Sequence, residues 1–170
     1  ADKAIVVFGA RQTGKTTLLE HLFQDRKVKW LSGDEPQDRE LLTSLSSKAD
    51  ISILLSGLDV LVIDEAQRIQ GIGMLLKRLE DSKPSCLIFA TGSSSLELAG
   101  GVMESAAGRL WPMTLFPLSV SELADHNSWL DVMESLPIRL TVGSYPEIVT
   151  HPQRSKATLR YLFESIVVKD

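Results

Sequence analysis

Eight consecutive residues, Gly9-Ala-Arg-Gln-Thr-Gly-Lys-Thr16, have the types and spacing needed to hold a chain of phosphates. They satisfy G-x-x-x-x-G-K-[ST] at every fixed position. Gly9 and Gly14 let the backbone curl tightly, so the successive N–H groups of Ala10, Arg11, Gln12 and Thr13 point inward at an anion. The helix expected after Gly14 adds the partial positive charge of its N-terminus. Lys15 reaches the β- and γ-phosphates as a mobile point charge, and the Thr16 hydroxyl completes a Mg²⁺ shell. Thr17 has two readings, contact with the α-phosphate or packing in the first helical turn. The side chains of Arg11 and Gln12 either touch phosphate or lie exposed on the loop.

A second set lies at Asp59-Val-Leu-Val-Ile-Asp-Glu65, an apolar strand ending in two carboxylates. A carboxylate at such a strand end faces the phosphate loop and holds Mg²⁺ through water, which fits Asp64. The next residue, Glu65, suits a base that polarises an attacking water. The bland alternative, a solvated acidic strand end, loses weight behind a matching phosphate loop. A water-activating Glu and the absence of an Asn-Lys-x-Asp guanine-reading motif favour ATP over GTP.

Thr91-Gly-Ser-Ser-Ser95 follows the apolar run Leu87–Ala90. Thr91 and Ser93 are candidates to hydrogen-bond the γ-phosphate or the attacking water, while Ser94 or Ser95 caps the next helix. Arg109 stands before Trp111, and a guanidinium there could neutralise a transferring phosphoryl group in the same chain or in a neighbour. A lone surface ion pair is its other reading. His21, His126 and His151 show no ligand spacing, and no Ser-His-Asp or Cys-His set is legible.

The elements that must position these groups follow from periodicity. Ala4–Phe8, Asp59–Ile63 and Leu87–Ala90 read as strands buried on both faces, with Val28–Leu31 a weaker one. Trp111–Leu115 reads as a fifth strand, placed at an edge by Pro112. Helical stripes are Leu18, Leu19, Leu22 and Phe23; then Leu41, Leu42 and Leu45; then Ile69, Ile72, Leu75, Leu76 and Leu79; then Leu96–Ala107. This alternation predicts a three-layer α/β fold on a parallel sheet of about five strands. After about residue 119 the pattern is helical only, around Leu123, Leu130, Met133 and Leu136, with a longer helix over Thr158–Val168. The expected division is a nucleotide-binding core over 1–118 and a helical lid, or the start of a further domain, over 119–170.

The chain has 170 residues, room for one well-cored domain, with 44% hydrophobic and 24% charged residues. A net charge of −4 supplies no general attraction to nucleic acid or acidic membranes. Cys86 is the single cysteine and sits in an apolar run, so it reads as packing and fits a reducing, cytoplasmic compartment. No apolar stretch has membrane-spanning length and no basic-then-apolar leader is seen. The first strand starts by Ala4 and Asp170 falls inside a helical pattern, so a fragment of a longer protein is expected.

Several motifs occur in one order: Gly9-Ala-Arg-Gln-Thr-Gly-Lys-Thr-Thr17, Asp64-Glu-Ala-Gln67, Thr91-Gly-Ser-Ser94, Gly108-Arg109, Pro117-Leu-Ser119 with Glu122, and Gly143-Ser-Tyr-Pro-Glu147. Together they resemble the AAA+-type ATPases of bacteria and archaea that carry a C-terminal nuclease-like domain. The resemblance covers most of the chain. It implies five parallel strands with the phosphate-loop strand near the centre, and the roles given above for Lys15, Thr16, Asp64 and Glu65. It also implies a trans-acting Arg109, hence a ring or dimer, and DNA as a partner. Gly-Ser precedes Tyr-Pro-Glu where the family commonly has two glycines, and the nuclease-like domain is missing. The expected activity is Mg²⁺-dependent ATP hydrolysis coupled to conformational change. Its rivals are an ATP-gated switch or scaffold with negligible turnover alone, and a small-molecule kinase, which Glu65 disfavours because it would waste ATP.

Overall fold

The computed structural model describes residues 3–93 and 108–167. The helix expected over Leu96–Ala107, and the caps Ser94 and Ser95, lie outside the described residues. The chain divides into two compact units, Ala1–Gly9 with Lys15–Leu115, and Ala10–Gly14 with Phe116–Asp170.

The first unit is built on five parallel strands: β1 (Ala4–Phe8), β2 (Val28–Ser32), β3 (Val60–Asp64), β4 (Leu87–Gly92) and β5 (Leu110–Thr114), in the order β2-β3-β4-β1-β5. β1 lies next to the central strand and β5 is at an edge, as its Pro112 requires. Around the strands run α1 (Lys15–Leu22), α2 (Pro36–Ser44), α3 (Lys48–Leu55) and α4 (Ile72–Asp81).

The strand period of two divides the core into two layers. Ala4, Val6, Phe8, Leu61, Ile63, Ile88 and Ala90 pack on one face with Leu42 of α2, Ile51 and Leu55 of α3, and Leu75, Leu76 and Leu79 of α4. Val7, Val60, Val62 and Phe89 face the other way and meet Leu19 and Phe23, from α1 and the residue after it. Phe23 and Phe89 stack edge to face with centroids 5.0 Å apart. The continuous apolar runs of β1, β3 and β4 thus arise because each strand is covered twice. Cys86 is buried in the first layer, and that burial pushes its thiol pKa up, consistent with a packing role.

Strand order reverses around β1. The chain leaves β1 for the far edge at β2, and later passes from β4 across β1 to β5. In such sheets the carboxyl ends of the strands next to the reversal form the natural ligand crevice. The ends of β1, β4 and β3 are neighbours there, with Val7 opposite Thr91 and Ile63 opposite Ala90.

The second unit contains α5 (Val120–His126), α6 (Trp129–Val142), α7 (Pro146–Thr150) and α8 (Ser155–Val167). Ser119 with Glu122 and Ser128 with Asp131 form capping boxes that start α5 and α6. The Ser119 hydroxyl and backbone N–H hold the Glu122 carboxyl below its ordinary pKa. Among the described residues of the second unit, Leu123, Val132, Ile148 and Leu162 are the buried apolar ones. Among the described residues no helix is long and apolar enough to cross a membrane.

Candidate active site

Asp64 is the hub of the first unit's crevice. Its Oδ2 accepts a hydrogen bond from Thr16 Oγ1 at 2.8 Å, bringing the second residue of α1 to the last residue of β3. Its Oδ1 accepts from Thr91 Oγ1 and, at 3.1 Å, from the backbone N–H of Glu65. One carboxylate therefore ties together two strand ends, those of β3 and β4, and a helix start. Lys15 is buried at 6% exposure, and its ammonium donates to the Gly9 carbonyl at 2.9 Å. The loop carbonyl supplies the buried Lys15 side chain with a polar partner.

The loop Ala10–Gly14 has its own internal geometry. Gln12 and Gly14 take left-handed φ values of 62° and 91°. Thr13 is buried and closes the turn by donating from Oγ1 to the Ala10 carbonyl at 2.9 Å. Glycine accepts such a φ at Gly14 without penalty, whereas any other residue there is strained. Within the same unit, a Cβ placed on Gly14 would meet Pro146 Cγ at 3.9 Å. Gln12 and Thr17 are exposed, and Arg11 is half-buried.

The turn after β3 is unusual. Glu65 is left-handed at φ 48° and ψ 42°, a conformation costing a non-glycine residue about 1–2 kcal/mol. It opens a single 3₁₀ turn, Ala66–Arg68. The neighbouring β2 end explains what holds it. Ser32 stands opposite Asp64, and the Gly33 N–H donates to the Asp64 carbonyl at 2.8 Å. A Cβ on Gly33 would lie 2.2 Å from the Glu65 carbonyl oxygen. Only glycine permits that approach. Gly33→Ala should therefore force the 64–65 turn aside and lower stability by about 1–3 kcal/mol. A denaturant midpoint equal to wild type would show that the turn yields freely.

Thr16 Oγ1 and Asp64 Oδ2 form a hydroxyl–carboxylate pair of the kind that binds a hard cation sharing its shell with phosphate and water. Among the described residues there is no group of three or more His, Cys, Asp or Glu that could hold a metal by itself. The residues present fit a hard cation that takes its other ligands from outside this pair.

The sequence candidates divide by place. Gly9, Asp64, Glu65, Thr91 and Ser93 belong to neighbouring strand ends, and Lys15 and Thr16 to the start of α1, in one unit. Thr91 is completely buried and spends its hydroxyl on Asp64. Ser93 directs its backbone N–H at Gln67 Oε1, 3.4 Å away. Arg109 is not brought to this group. It precedes β5, its carbonyl accepts from the Ala4 N–H at the start of β1, and its guanidinium pairs with Asp81 at the end of α4. That is the opposite end of the sheet from Asp64, displaced by a strand length of about 16 Å along the strands at 3.3 Å per residue and by three strand positions across them. Gly33 and Gln67 were not singled out as site residues; their adjacency to Glu65 depends on strand register and turn geometry.

A family sequence model described as AAA domain matches residues 1–124. Among solved structures, the chain is similar to a DNA replication initiation factor at 15% identity and a TM-score of 0.48, over 83% of this chain and 56% of that one. It is also similar to Drosophila ORC bound to DNA, at 16% identity and 0.49, over 98% and 51%. PCH-2 of C. elegans follows at 16% and 0.46, over 81% and 41%. The chain thus spans about half the length of these solved chains. Comparison with curated proteins gave no match.

Proposed function

The chain belongs to the AAA domain family, and we propose from that premise that it binds ATP with Mg²⁺ and hydrolyses the terminal phosphoanhydride bond. The observation that carries this reading is the Thr16–Asp64–Thr91 hydrogen-bonded set, with the buried Lys15 ammonium on the helix that Thr16 also starts. Backbone N–H groups of the Gly9–Thr16 loop and Lys15 would grip the phosphates. Thr16 and Asp64 would hold Mg²⁺, which when bound neutralises charge on the phosphate oxygens. Thr91 orients Asp64 by occupying one carboxylate oxygen, and Glu65 would accept a proton from the attacking water. Residues 1–118 serve as the nucleotide-binding core. Residues 119–170 serve as a helical lid or as the start of a further domain. Calorimetry with Mg-ATP, and phosphate release with ATP and with GTP, test the reading. Heat of association with ATP and release favouring ATP are expected, and no association heat from the folded protein would end it.

A second reading, a nucleotide-gated switch nearly inactive by itself, is favoured by the position of Arg109. A guanidinium at the far end of the sheet can reach a phosphoryl group only in a neighbouring copy. Arg109→Ala and Lys15→Ala should each be slow alone, and mixing them should restore turnover, because some interfaces then join an intact arginine to an intact loop. A mixture no faster than its components would exclude an arginine acting between copies.

A further inference from the structure

We infer that Gln67 is a positioning residue for Glu65, an amide clamp that ties the carboxylate after β3 to the end of β4. The inference rests on the reading of Glu65 as the base that activates water. Gln67 lies in the 3₁₀ turn Ala66–Arg68. Its Nε2 donates to Glu65 Oε2 at 2.5 Å, and its Oε1 lies 3.4 Å from the Ser93 backbone nitrogen, which donates to it. The orientation of the amide is dictated by its partners. An ionised carboxylate only accepts and a backbone N–H only donates, so a flipped amide would lose both bonds.

The clamp answers a local problem. The left-handed backbone at Glu65 removes that residue from the strand pleat, so β3 no longer determines where its side chain points. Asp64, one residue earlier, is held by Thr16, Thr91 and the Gly33 N–H acting on its carbonyl. Glu65 needs its own constraint, and Gln67 supplies it from two residues on. Because the far end of the amide rests on Ser93, a shift at the end of β4 is passed to the Glu65 carboxylate. The clamp thus links the position of the β4 end to the placement of the base.

Misplacing a catalytic group by about 1 Å costs on the order of 10²-fold. Gln67→Ala should therefore lower kcat about 10- to 100-fold while the Mg-ATP dissociation constant, read by calorimetry, changes less than about threefold. Gln67→Met retains the side-chain volume but not the amide, so it should be as slow as Gln67→Ala and keep the wild-type melting temperature. Gln67→Glu should be slow as well, since it cannot donate to Glu65 and places like charge beside it. The decisive readout is a double-mutant cycle. In a Glu65→Gln background, Gln67→Met should add less than about a twofold effect, because a residue acting through Glu65 has nothing left to position. Wild-type kcat in Gln67→Met, or full additivity in the cycle, overturns the inference alone, provided wild type hydrolyses ATP and Glu65→Gln does not. Absence of turnover in the wild type, or an unimpaired Glu65→Gln, removes the premise and the inference together.

Discussion

Glu65→Gln should release phosphate about 10²- to 10⁴-fold more slowly than wild type while binding Mg-ATP with nearly the same affinity. The substitution preserves shape and can still meet the Gln67 amide through its carbonyl oxygen. It removes the ability to accept a proton. Loss of turnover with retained binding is the signature of a group used only in the transition state. Single-turnover phosphate release together with calorimetry separates the two quantities. If binding fell in step with turnover, Glu65 would belong to nucleotide binding and the attacking water would need another base.

Lys15→Ala should weaken Mg-ATP binding by about 10²-fold or more. Two charge-assisted contacts to the β- and γ-phosphates contribute about 1.5–3 kcal/mol each, and each 1.4 kcal/mol is tenfold in affinity. The buried position of Lys15 strengthens the argument, since a cation with little water around it gains more from an anion than an exposed one does. The variant also leaves the Gly9 carbonyl without its ammonium donor, so circular dichroism must first show a folded protein. An affinity within about threefold of wild type would mean that the loop does not hold phosphates through this residue.

The sheet was largely legible in the sequence, for a physical reason. Strands covered on both faces must be apolar at successive positions, and β1, β3 and β4 are. The edge position of β5 followed from one proline. Helix α3 was missed because Ile53 is 76% exposed and breaks the apolar stripe that Ile51 and Leu55 otherwise form. Its start was nevertheless written in the Ser47–Asp50 capping box. The Gly9–Thr16 motif and Asp64 stand out in the sequence because their spacing is local. Thr91 as the partner of Asp64, Gly33 beneath Glu65 and Gln67 against Ser93 were not, since each depends on pairs far apart in the chain that register or turn geometry brings together. The placement of Arg109 also needed the strand direction, because spacing alone does not tell one end of a sheet from the other.

Pro112 stands in the middle of β5, opposite Val6, on a strand whose Trp111 and Met113 are more than half exposed. An outer strand with exposed apolar side chains is ordinarily a template on which a stray chain can dock and start a fibril. Proline brings no N–H to the row, so an incoming segment meets a gap at the centre of the ladder it would have to complete. The residue that marked this strand as outermost therefore also stops the sheet from growing, and it protects concentrated protein from sticking edge to edge.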